Sequence, residues 1–142
     1  FVNGSASNYG ERQIFQPILR NNNVIFTTVL PSQSECDFGG DSWLMEVNSG
    51  TGGQPTESVF DTNQDGVFNS ADYLLIPNGG NPYHVPASGQ KTSSGITPTP
   101  AIFLTQDKSK EVKVLSGSTG IETVSESPGT GPSGRQNWIQ LQ

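Results

Sequence analysis

Glycine and proline break this chain into short pieces, and that punctuation constrains its fold more than any other feature. Seventeen glycines and ten prolines separate runs such as VIFTTVL (24–30), SWLMEV (42–47), AIFLT (101–105), EVKVLS (111–116) and IETVSE (121–126). Runs of this length, rich in β-branched and aromatic residues and bounded by turn residues, pair as strands because such side chains pack well on a pleated surface. The long Ala, Leu, Glu and Lys runs that sustain helices are absent. The expectation is an all-β chain with further strands over 12–19, 57–60 and 135–142. Turns are expected at NNN (21–23) and NSGTGG (48–53), and NSADYLLI (69–76) reads as a short helix. HVPASGQKTSSGITPTP (84–100) reads as an irregular connection.

The strands repeat. VIFTTV (24–29) corresponds to AIFLTQ (101–106), and MEVNSGTGG (45–53) to KVLSGSTGI (113–121). A proline-bearing extended segment, FQPIL (15–19) or ITPTP (96–100), precedes each VIF-like strand. A repeat of about four antiparallel strands is the build of a propeller blade. The expected architecture is a partial, modified β-propeller: a blade over 1–60, an insertion over 61–95, and a second blade with a C-terminal strand over 96–142. Two blades cannot close a ring of about 4–8, so a longer parent chain or partner chains must supply the missing faces. A small sandwich or barrel with a coincidental repeat is the plainer alternative.

The insertion opens with DTNQDGVFNSAD (61–72). Numbered as a twelve-residue loop, it places Asp61, Asn63 and Asp65 at positions 1, 3 and 5, Gly66 at 6, Val67 at 7, Asn69 at 9 and Asp72 at 12. This is the ligand spacing of an EF-hand-like calcium loop, with Asp at the closing position where Glu is usual. Alternate side chains converge as the chain curls, Gly66 permits the sharp turn, and the Val67 carbonyl joins the oxygen set. All donors are hard oxygens, which suits Ca²⁺ over Zn²⁺. The expected metal ligands are therefore Asp61, Asn63, Asp65, Val67, Asn69 and Asp72. Without a cation three clustered carboxylates repel one another. An Asp/Asn-rich turn held by side-chain to backbone bonds is the alternative.

Charge excludes other classes. With 7 basic and 13 acidic residues and a net charge of −6, the chain lacks the basic face that nucleic acid or an anionic membrane requires. No apolar run reaches the ~18 residues of a membrane span. Phe1 begins a polar stretch unlike the apolar helix of a pilin, and is read as the start of a fragment or a trimmed chain. Cys36 and His84 are the sole residues of their types. Cys36 has no disulfide partner within the chain, and no Cys–His pair is argued. His84 reads as a loop residue, Trp43 and Trp138 as packing residues, and DKSKEVK (107–113) as a solvated hairpin tip. The Gly/Thr turns lack the strand–helix context and lysine of a phosphate loop.

Taken in order, ERQIFQPILRNNNVIFTTVLPSQSECDFGGDSWLMEVNSGTGG, SVFDTNQDGVFNSAD, VKVLSGSTGIETV and GRQNWIQL resemble the C-terminal portion of the PilY-type (PilC-like) type IV pilus tip proteins. The likeness runs over nearly the whole chain. It implies a modified β-propeller at the pilus tip, seated on minor pilins. It further implies roles in pilus biogenesis, in the balance of extension and retraction, and in adhesion to host or abiotic surfaces. Minor pilins or other parts of the same tip protein would be its partners. The location would be extracellular, at the cell surface after export through the periplasm. The family's calcium loop maps onto Asp61, Asn63, Asp65, Val67 and Asp72. The chain has no Arg-Gly-Asp, and the family's large N-terminal region is absent, so integrin-type binding is not argued. The expectation is a non-enzymatic module. The alternative is a secreted calcium-binding module of an enzyme, dockerin-like or quinoprotein-like. A single calcium loop fits a dockerin poorly, and no convergent cofactor-binding set can be assigned for a quinoprotein.

Overall fold

The computed structural model describes residues 10–32 and 39–129. The expectations for Cys36, Trp138 and the strand at 135–142 lie outside them. Among the described residues nine strands form three antiparallel sheets. Strands β1 (Ile18–Arg20), β2 (Asn23–Pro31), β3 (Gly40–Asn48) and β6 (Gly89–Lys91) form a four-stranded sheet in the order β1-β2-β3-β6. Strands β7 (Ala101–Leu104), β8 (Glu111–Gly117) and β9 (Gly120–Glu126) form a three-stranded meander. A small hairpin, β4 (Leu74–Ile76) with β5 (Tyr83–Val85), stands apart.

The all-β reading and the turn chemistry hold. The β1–β2 turn is made by Asn21 and Asn22, both with positive φ of 49° and 66°. Positive φ at both central residues is the geometry that matches hairpin twist, and asparagine tolerates it better than most residues. The repeat is structural as well. β2 pairs with β3 as β7 pairs with β8, and the four-stranded sheet has the strand count of one propeller blade.

Several local expectations need correction. Of residues 12–19 only the end becomes β1, with Arg12 adding an isolated bridge to Val29. Residues 57–60 do not complete the first sheet. They cross to the second, where Phe60 bridges Glu126 and the Ser127 N–H donates to the Val59 carbonyl at 3.0 Å. The position beside β3 is taken instead by β6, from the segment read as irregular. The helix read into 69–76 is one 3₁₀ turn, Ser70–Asp72, followed at once by β4. Its β-branched and aliphatic continuation favours pairing with β5, which also carries His84.

The two main sheets pack face to face. Ile25 and Leu44 from one, and Leu115 and Val124 from the other, share a buried cluster with Val59, Phe60 and Ala87. Beside this apolar layer lies a charged one. Lys113, 1% exposed, donates to Glu46 Oε2 at 2.6 Å and to Glu126. Asn23 donates to the other Glu46 oxygen at 2.9 Å, and Arg20 pairs with buried Glu111 at 2.6 Å. Lys113 is thus no part of a solvated tip. Burial pushes its pKa down, while the charges of Glu46 and Glu111 oppose that shift.

The tip itself is confined to Asp107–Ser109. There Ser109 donates to Asp107 from its N–H and its hydroxyl, at 3.2 and 2.7 Å. Hydrogen bonds from Thr105 and Ser109 lower the Asp107 carboxyl to about 2. At the other end of the meander, Gly117 passes so close to Ser94 that a Cβ would overlap its carbonyl.

Lys113→Met leaves Glu46 and Glu126 buried without their cation and is expected to cost about 3–5 kcal/mol in urea unfolding. Restoring neutrality with Glu46→Gln and Glu126→Gln in the same chain should recover part of that loss. The folded-state pKa of Asp107 lies below its ordinary value of 3.8. Its contribution is therefore fully present above 3.8 and is lost as pH falls through about 2. Carboxyl NMR titration should place its midpoint near that lower value.

Candidate functional site: the acidic loop

Phe60, 1% exposed, is sunk in the core, and the next residue is Asp61. The loop therefore departs from a fixed point. It returns through Asp72, which is 0% exposed. Asp72 Oδ1 accepts the N–H of Thr62 at 2.9 Å and of Asn63 at 3.4 Å, and Oδ2 accepts the N–H of Asn69 at 2.9 Å. The Thr62 hydroxyl donates to the Asp72 carbonyl at 2.8 Å. Both ends of the loop are thus stitched together by one carboxylate and one hydroxyl.

Inside this frame the chain curls around its own acids. Asp61 Oδ1 accepts from the Asp65 N–H at 3.1 Å, and Oδ2 from the Gly66 N–H at 2.8 Å. Asn63 Oδ1 also accepts from the Asp65 N–H at 2.9 Å, while its amide donates to Asp65 Oδ2 at 3.1 Å. Asp65 Oδ1 accepts from the Val67 N–H at 2.7 Å. Gly66 has φ of +80° and Gln64 of +62°, so the turn occurs at the glycine that the spacing requires, with help from its neighbour. Asn69 accepts from the Ala71 N–H at 2.7 Å and, with Asp72, forms a capping box on the 3₁₀ turn.

The structure therefore joins Asp61, Asn63 and Asp65 through shared N–H groups, and joins Asn69 and Asp72 through the cap. Val67 contributes its N–H to Asp65, and its side chain is 55% exposed. Among the described residues no group of three or more His, Cys, Asp and Glu side chains stands in metal-holding geometry. The acids are turned toward backbone donors. By donor chemistry the loop suits a hard cation: every side chain in the set offers oxygen, and a carboxylate oxygen accepts more than one partner.

One neighbour was not legible in the sequence. The Lys110 Nζ lies 5.9 Å from the Phe68 ring centroid and 3.2 Å from where a Cβ on Gly66 would stand. Thr105 fixes the Lys110 backbone: its hydroxyl accepts from the Lys110 N–H at 3.0 Å and donates to the carbonyl at 2.9 Å. A cation from the β7–β8 hairpin thus reaches across to the loop. Elsewhere a cleft of about 200 Å³ is lined by residues that include Asn21, Asn23, Asn48, Glu57 and Ser127. Glu57 is the one titratable side chain in its lining, and no nucleophile–base pair faces it.

No family model matches the chain. Its sequence is 31% identical over 144 residues to the type IV pilus biogenesis factor PilY1 of Pseudomonas aeruginosa strains PAO1 and PAK, covering 99% of this chain and 11% of those proteins. Against PilY1 of strain UCBPP-PA14 identity is 27% over 135 residues, covering 94% of the chain and 10% of that protein. The fold superposes on the crystal structure of the Pseudomonas aeruginosa PilY1 C-terminal domain with a TM-score of 0.65. That match has 23% identity and covers 91% of this chain and 22% of that one. The chain spans about a tenth of the length of these relatives, as the 11% and 10% coverages state. Homology along its whole length and a shared fold together make this chain a homologue of part of the type IV pilus biogenesis factor PilY1.

Proposed function

We propose that the chain is a non-enzymatic, calcium-binding segment of a propeller-like pilus-tip protein acting in type IV pilus biogenesis. The observation that carries this reading is the 31% identity to PilY1 over 99% of the chain. Its location is extracellular, on the pilus tip or cell surface. Its partners are minor pilins or other parts of the same tip protein, and its wider roles are surface adhesion and the balance of extension against retraction. No helix among the described residues is long and apolar enough to cross a membrane.

The calcium part of the reading is supported by the spacing and anchorage of the loop. Asp61, Asn63 and Asp65 offer side-chain oxygens, Val67 its carbonyl, and Asn69 and Asp72 close the set. A bound Ca²⁺ supplies the positive charge that three neighbouring carboxylates call for. The chain's own residues do the mechanical work. Phe60 roots the entry strand in the core, Asp72 ties the loop's end to its start, and Lys110 links it to the β7–β8 hairpin. Fixing the loop would stiffen the module under pulling load.

Extracellular calcium modules bind at roughly 10⁻⁴–10⁻³ M. Raising calcium from zero, in EDTA, to about 10 mM should therefore add roughly 1.4–2.7 kcal/mol, seen as a rise of several degrees in Tm. Asp65→Ala should abolish that rise while costing under about 1 kcal/mol in EDTA, because the side chain is exposed. Asp72→Ala should cost about 2–3 kcal/mol even in EDTA, since it orphans three backbone donors. A wild-type Tm that ignores calcium would refute the metal reading. In cells, loss of surface pili on deleting the parent protein, restored by wild type, tests the pilus reading independently.

A further inference from the structure

The residue just before β8 is held by three hydrogen bonds. The Thr105 N–H and hydroxyl both donate to the Lys110 carbonyl at 2.9 Å, and the Lys110 N–H donates to the Thr105 hydroxyl at 3.0 Å. The Lys110 side chain therefore leaves from a fixed origin, and the residue is half-buried. Its ammonium stands 5.9 Å from the Phe68 ring centroid, within the ~6 Å over which an aromatic face attracts a cation. It also lies beside Gly66, where the acidic loop turns with φ of +80°. The Gly66 N–H in turn donates to Asp61 Oδ2 at 2.8 Å. Among the described residues Lys110 forms no ion pair. The ammonium stands next to the acids without occupying their oxygens.

A cation so placed acts on the loop through space. Asp61, Asp65 and Asp72 carry three negative charges, and Lys110 brings the set to −2, the charge that one divalent ion neutralises. Calcium loops are tuned over several decades of affinity by the charges around the ion and by the rigidity of the site. We propose that Lys110 is a resident counter-charge that sets the calcium affinity of the acidic loop, holding it weaker than the three carboxylates alone would make it. The inference rests on the calcium reading of the loop. An ammonium has no lone pair to offer a metal, so its direct effect on a bound cation is repulsion. A unit charge about 6–8 Å from a divalent ion near a protein surface changes its affinity roughly three- to tenfold at low salt. The effect fades at 1 M salt, where the Debye length is ~3 Å. A loop weakened in this way fills and empties as extracellular calcium changes, which a reversible stiffener requires.

The test uses the longer protein that contains this chain, titrated with calcium by calorimetry at low salt. Asp65→Ala serves as the blank for calcium bound elsewhere. Lys110→Met is expected to lower the Kd of the loop roughly three- to tenfold, with Lys110→Gln as a second neutral variant should the first misfold. Lys110→Arg keeps the charge and should stay within about twofold of wild type. Lys91→Met removes one positive charge from the ion pair with Asp41 and should leave the Kd unchanged. In 1 M salt the gain from Lys110→Met should shrink toward none. Wild type that binds calcium, with neutral variants at residue 110 that bind no tighter, would overturn this inference and leave the calcium reading standing. So would an equal gain from Lys91→Met, or a gain that high salt leaves intact, since the first reports overall charge and the second reports packing. Wild type that binds no more calcium than Asp65→Ala would overturn both.

Discussion

A single ammonium holds the two sheets in register. Lys113, inaccessible to water, reaches from β8 to Glu46 on β3 and to Glu126 on β9. An unpaired charge there would be very costly, and even a paired one gains little net stability over well-packed hydrophobic residues. What the clamp supplies is specificity. Sliding one sheet over the other by a single pleat would move Lys113 away from Glu46 and leave it with Glu126 alone, whereas apolar contacts among Ile25, Leu44, Leu115 and Val124 would tolerate the shift. Arg20 with Glu111 extends the same constraint to the β1 end of the interface, and Asn23 holds Glu46 from within its own sheet.

The acidic loop depends on that interface. Residues 58–60 are held where β9 ends, through Phe60 against Glu126 and the Ser127 N–H on Val59. Glu126 therefore serves the buried clamp with its side chain and the root of the loop with its backbone. From this root the loop curls through backbone bonds to Asp61, Asn63 and Asp65, and Asp72 closes it. The charges of the chain are divided by role. Those between the sheets fix geometry, those in the loop accept its backbone N–H groups, and Lys91 pairs with Asp41 at 2.8 Å on the outer face of the four-stranded sheet.

Much of this was legible in the residues. Gly/Pro punctuation and β-branched runs located β2, β3, β7, β8 and β9, and the VIFTTV/AIFLTQ repeat anticipated their equivalent pairing. The loop was legible because its spacing is local: each bond from Asp61 to Asp72 joins residues at most ten apart. Propensity could not place the segments whose partners are remote. ESVF has the composition of a strand but bridges β9 across the chain. Gly89–Lys91 has no strand signal and pairs with β3 because an edge was vacant there. Lys113, next to a turn rich in lysine and aspartate, looked solvated, and alternation alone could not say which face of β8 was inside.

The sequence by itself determined the strand class, the turns and the oxygen-rich loop, because propensity, positive φ and ligand spacing are set within a dozen residues. It also carried the likeness to PilY-type proteins, since that rests on residue order alone. Only the tertiary structure decided which sheet received residues 58–60, that β6 completes the first sheet, that Asp72 braces the loop and that Lys110 reaches it. The physical reason is burial. Whether a charge faces water or a partner depends on what another part of the chain places opposite it.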